Sequence, residues 1–152
     1  VEVVNIRVED VVPHRGTSLL IDRLLAYDEG FMAVEALVRG DNVFAAAQGV
    51  PVWVGIEYMA QAIAAWAGCR ALRTNTPVRL GFLLGTRRFD CVEEYFRLGQ
   101  RLRIEARREL SAENGMGMFA CRILIATVEV AKANVLVYEP PDIEDFLNGA
   151  AE

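Results

Sequence analysis

The chain of 152 residues holds a single histidine, His14, and only three cysteines, Cys69, Cys91 and Cys121. With one imidazole and no Cys-x-x-Cys spacing, no metal centre is expected. Three widely spaced thiols are an odd number. They read as reduced and mostly buried groups of a cytoplasmic protein rather than as a disulfide framework. No stretch reaches 18 uncharged apolar residues. From Tyr58 to Cys69 only Gln61 is polar, but Arg70 follows, and the run is too short to cross a bilayer. The opening VEVVNIRVED carries charges early and has no basic region followed by an apolar run, so it does not read as a signal peptide. Positive charge is also in short supply. The formal net charge is -5 and the pI about 5.0, which argues against nonspecific nucleic-acid binding. Nucleotide-loop and dinucleotide fingerprints are missing, and no cofactor is expected.

What is present is apolar material. Apolar residues make up 53% of the chain and mean hydropathy is +0.23. That suits one domain with one sizeable core, expected over 1-140, with a short acidic tail over 141-152. So high an apolar fraction in so small a domain also points to an oligomer. Pro13 to Gly16 reads as a turn, followed by the apolar run Leu19 to Tyr27. In FMAVEALVRG, alternation puts Met32, Val34, Ala36 and Val38 on one face of a strand. The two segments suggest a hairpin. From about 54 to 73 the chain is alanine-rich, free of proline and apolar on nearly every side, which predicts a helix that other elements must wrap. Pro51 stands just ahead of it. Strands follow. Leu102, Ile104 and Ala106 alternate with Arg103, Glu105 and Arg107. Asn-Gly in ENGMG marks a tight turn. The long piece after it must break near Thr127 to Lys132, although no Gly or Pro marks the place. The fold class is α+β: a long antiparallel sheet curled around one central helix.

The same residues resemble a family. VVPHRGTSLLIDRLL is similar to the opening segment of the hotdog-fold 3-hydroxyacyl-acyl-carrier-protein dehydratases. PVWVGIEYMAQ resembles the segment in which a proline introduces their central helix and an acid leads into Glu-x-x-Ala-Gln. LGFLLGTRRF and YFRLGQRLRIE resemble their following strands. The likeness is greatest to a divergent dehydratase branch, some members of which belong to aryl polyene and related polyketide-like pathways. The resemblance implies a dimer whose sheets join edge to edge, as a homodimer, a higher oligomer of dimers, or a heterodimer with another hotdog protein. It also implies active sites at the subunit interface, an acyl tunnel beside the helix, and a thioester substrate on acyl carrier protein or coenzyme A. One departure stands out. The region that carries the family's catalytic histidine reads DNVFAAAQGVPVW here and has none.

Dehydration of a 3-hydroxyacyl thioester is a β-elimination. A base removes the C2 proton, an acid protonates the departing C3 hydroxyl, and donors stabilise charge on the thioester carbonyl. By resemblance Glu57 is the acid. His14 is the only imidazole available as base. Gln61, one turn after Glu57, holds it or lines the tunnel. Gly55 and Ile56 are candidates for a backbone donor to the carbonyl. Asp41 and Asn42 are candidates for binding the substrate hydroxyl, and Trp53 and Phe82 for lining the core or tunnel. The small residues Ala60, Ala64, Ala65 and Gly68 leave room for a ligand or for another close-packed element. Asp22 and Arg23 read as an ion pair. Arg79, Arg87, Arg88 and Arg97 lie where the family faces its carrier protein or pantetheine, and arginines suit acidic, phosphate-bearing partners. The competing functions are a thioesterase, in which Glu57 alone activates water, and a noncatalytic acyl-binding subunit paired with an active dehydratase.

Overall fold

The computed structural model describes residues 2-77 and 81-140. Arg79 and the expected acidic tail, 141-152, lie outside the described residues, as does the side chain of Phe82. Among the described residues there are nine strands: β1 (Glu2–Val3), β2 (Arg23–Asp28), β3 (Phe31–Leu37), β4 (Val50–Pro51), β5 (Phe82–Cys91), β6 (Tyr95–Phe96), β7 (Arg101–Ser111), β8 (Met116–Ile125) and β9 (Val128–Tyr138). One helix, α1 (Gly55–Thr74), stands between β4 and β5. Seven strands form one sheet in the order β1-β2-β3-β7-β8-β9-β5, antiparallel throughout, and β4 pairs with β6 apart from it.

The sheet curls around α1. Helix residues Tyr58, Met59, Ala62, Ala65, Trp66 and Cys69 are buried, as are Met32, Val34 and Ala36 of β3, Leu102 and Ile104 of β7, and Ile123 of β8. Val38 is buried just past the end of β3. The helix starts where a 3₁₀ turn, 52-54, follows Pro51. It ends at Asn75, whose left-handed backbone (φ 52°) lets Thr76 N–H return to the Ala71 carbonyl at 3.0 Å. The hairpin between β8 and β9 turns at Ala126, also left-handed (φ 54°), just ahead of the expected break.

The small residues of the helix have a packing role that one position makes plain. A β-carbon on Gly68 would lie 2.5 Å from the Val11 carbonyl oxygen and 2.6 Å from its Cβ. The segment before the first hairpin is therefore pressed onto the bare backbone of α1. Of the two uses expected for the thin helix wall, close packing is the one seen here. Gly68→Ala should gain a little helix propensity and lose more to overpacking, about 2 kcal/mol net. Thermal unfolding checks this, with a fall of about 4–8 °C expected for a domain of this size.

Cys69 and Cys121 are buried, and Cys91 is half-buried. Burial pushes the Cys69 thiol up to about 11 and the Cys121 thiol to about 12. Since the thiolate is the nucleophile, a disulfide reagent at neutral pH should titrate Cys91 in the native protein. The other two should react only after unfolding.

Candidate active site

The first turn of α1 carries Glu57, and the turn around Pro13 brings His14 to it. Arg15 fixes that turn. Its guanidinium donates to the backbone carbonyls of Val12, His14 (2.7 Å) and Glu9 (2.7 Å). Gly16 then takes a left-handed φ of 60°, a conformation suited to glycine, and a 3₁₀ turn over Gly16–Ser18 leads the chain back toward the helix. The result places His14 Nε2 3.4 Å from Glu57 Oε1 within a single chain, and each side chain stays 32% exposed. The Nδ1 atom of the same imidazole is buried and has no hydrogen-bond partner among the described residues.

Gln61 is fully buried and uses all its hydrogen-bonding capacity. Its Oε1 accepts from the N–H groups of Leu20 (2.9 Å) and Ile21 (3.4 Å). Its Nε2 donates to the Ser18 carbonyl (2.8 Å) and to Glu57 Oε1 (2.9 Å). Two backbone N–H groups on one side leave only one orientation for the amide. Of the two roles expected for Gln61, holding Glu57 is the one the geometry provides. One carboxylate oxygen of Glu57, Oε1, is thus committed as an acceptor.

The other expected site residues divide. Gly55 is buried, and a β-carbon there would meet the Phe89 ring at 3.1 Å and Ile123 at 3.3 Å, so its bareness serves the packing of β5 and β8. Its N–H is directed to the carbonyls of the preceding 3₁₀ turn. Ile56, beside it, is half-buried. Asn42 forms a turn, donating to the Arg39 carbonyl (2.8 Å) and accepting from Phe44 N–H (2.8 Å). Asp41 is exposed and lies 3.5 Å from Arg39. Trp53 is 62% exposed and meets Phe44 edge-on, so it does not belong to the core. Asp22 and Arg23 do not pair with each other, because consecutive residues of an extended chain point to opposite sides. Asp22 pairs with Arg39 and accepts from Leu37 N–H, while Arg23 pairs with Glu35. Arg87 and Arg88 are exposed on β5 at a bulge, where Arg88 takes a left-handed φ of 55°. Arg97 is exposed in the turn after β6. A cavity of about 530 Å³ on the sheet includes Arg88, Arg107 and Lys132 in its lining but neither Glu57 nor His14. Sequence reasoning missed Arg15, Arg39 and the buried bracket made by Gln61. The Arg15 signal was present, as a long donor beside a turn, but its carbonyl partners carry no mark in the sequence.

An antiparallel sheet wrapped around a single helix, with a carboxylate at the helix start, defines a hotdog-fold protein. Among such proteins the chain belongs to the ApeP-like family, described as ApeP dehydratase, whose family model matches residues 6–148. The expected kinship with the divergent dehydratase branch is thereby borne out. The dehydratase heterocomplex ApeI:P from Xenorhabdus doucetiae superposes with a TM-score of 0.83 at 26% identity, over 93% of this chain and 96% of that one. More distant folds include the PaaI protein of the E. coli phenylacetic acid degradation operon (TM-score 0.60, 16% identity, 77% of this chain and 82% of that one). Another is smu.793 from Streptococcus mutans bound to acetyl CoA (TM-score 0.56, 16% identity, 77% and 86%). No curated protein sequence matches the chain. Among the described residues no helix is long and apolar enough to cross a membrane, and no cluster of three or more His, Cys, Asp or Glu has the makings of a metal site.

Proposed function

We propose that this protein is a 3-hydroxyacyl thioester dehydratase that eliminates water at Glu57 with His14 beside it. The observation that carries the reading is the cluster itself: one carboxylate held by a buried amide, one imidazole 3.4 Å away, and both partly open to solvent. An elimination needs a proton carrier and a donor within reach of the same two substrate carbons, and this cluster supplies both types of group. In this reading His14 of the same chain stands in for the histidine missing from the usual segment.

The substrate is an acyl chain on acyl carrier protein, with coenzyme A as the alternative carrier. Arg87, Arg88 and Arg97 offer exposed guanidinium groups to the acidic carrier. The exposure of Glu57 and His14 leaves the site open on one side, where a second hotdog subunit would close it. The similarity to a dehydratase heterocomplex supports a different hotdog protein as that subunit. It also favours one competing reading, a noncatalytic subunit that shapes its partner's tunnel.

The deciding experiment incubates the protein, alone, with a catalytically dead hotdog partner and with a live one, with 3-hydroxyacyl and enoyl thioesters on both carriers. Dehydration, hydration and free-thiol release are followed separately. Water elimination without thiol release supports the dehydratase. Thiol release identifies a thioesterase, and activity confined to mixtures with a live partner identifies the scaffold.

A further inference from the structure

His14 is the only histidine, and the surroundings of its two nitrogens differ. Nδ1 is buried without a partner, whereas Nε2 faces Glu57 Oε1 at 3.4 Å. A proton on Nδ1 would be an orphaned buried donor, which proteins avoid more strictly than an unsatisfied lone pair. It would also leave the Nε2 lone pair facing a carboxyl oxygen. A proton on Nε2 removes both conflicts. A base at His14 would need an unprotonated nitrogen facing the substrate, and Nδ1, the nitrogen left without a proton, is enclosed by protein.

Building on the dehydratase reading, we infer that His14 is held in the Nε2–H tautomer as a donor toward Glu57, and that Glu57 alone carries the proton in both steps. Gln61 Nε2–H donates to Oε1 and His14 Nε2 approaches the same oxygen at 3.4 Å, which makes Oε2 the working oxygen in this reading. The Glu57 carboxylate takes the C2 proton on Oε2. The C2–H electron pair becomes the C2=C3 bond as the C3–O bond breaks. The same proton passes from Oε2 to the departing oxygen, which leaves as water, and Glu57 returns to the carboxylate. One group serving both carbons requires the C2 hydrogen and the C3 hydroxyl on the same face, so the elimination is syn. His14 is then a positioning residue, steadying the negative charge on Glu57.

Because no other imidazole is present, labelling the full chain with ¹⁵N-histidine gives an uncrowded long-range ¹H–¹⁵N spectrum. A protonated Nε2 with an unprotonated Nδ1 is expected, and a neutral ring protonated at Nδ1 overturns the inference. Turnover gives a second test. His14→Gln keeps an N–H donor in place of Nε2 and should stay within about tenfold of the parent protein, while His14→Ala should lose about a hundredfold. If His14 is instead the base, both variants fall together by roughly 10²–10⁴-fold, which also overturns it. Absence of turnover in the parent protein with the Nε2–H signal in place counts against the dehydratase reading, and the tautomer stands on the spectrum.

Discussion

Glu57→Gln should abolish dehydration, lowering kcat by at least about 10²–10⁴-fold, the range that general acid–base groups supply. The substitution is close to a pure chemical edit. Glutamine has the same length and shape, and its amide oxygen can accept the Gln61 Nε2–H bond that Glu57 Oε1 accepts now. The side chain is 32% exposed, so no buried charge is stranded and global stability should change by no more than about 0.5 kcal/mol. What disappears is the oxygen able to take and return a proton. Single-turnover rates on 3-hydroxyacyl carrier-protein thioesters, paired with urea unfolding of the same preparation, measure both halves. Retained dehydration with an intact fold would remove Glu57 from the chemistry.

Much of this architecture is legible in the sequence because it follows from local chemistry. A helix apolar on all sides demands a wrapping sheet, and α1 runs over Gly55–Thr74, where the alanine-rich sequence predicts a helix over about 54-73. Alternation reveals the buried face of β7, whereas β3 is buried on both faces over Phe31, Met32, Ala33 and Val34. The turn at Ala126 was harder to place, since neither glycine nor proline marks it and the tertiary pairing of β8 with β9 imposes the left-handed backbone. The site is legible by residue but not by contact. His14 and Glu57 are far apart in sequence, and their distance depends on how Arg15 folds the first turn and on how closely Gly68 admits Val11. Ion pairs fared worse. Asp22 and Arg23 look paired as neighbours, yet strand geometry sends each to a different partner. For polar side chains such as Asn42, nothing in the sequence marks the backbone groups that they bond.

Gln61→Leu should be costly to both stability and catalysis. Leucine fills much of the same volume, so the cavity contribution is small and the polar one dominates. The Leu20 and Ile21 N–H groups lose their side-chain partner in a buried place, and the partly buried Ser18 carbonyl loses its own. Each buried group left unsatisfied costs about 1–3 kcal/mol, and partial rearrangement of the chain around 18–21 brings the expected total to about 3 kcal/mol. The urea midpoint should drop with an unchanged slope. Catalysis suffers separately, because Glu57 loses the donor that fixes which of its oxygens is free, and a misplaced proton carrier is paid for in kcat rather than KM. At a temperature where the variant is fully folded, kcat should fall about 10–100-fold with KM little changed. Equal loss of stability without loss of kcat would make Gln61 a fastener of the first segment alone. Loss of kcat on the folded protein ties the burial of one amide to the orientation of the carboxylate that it holds.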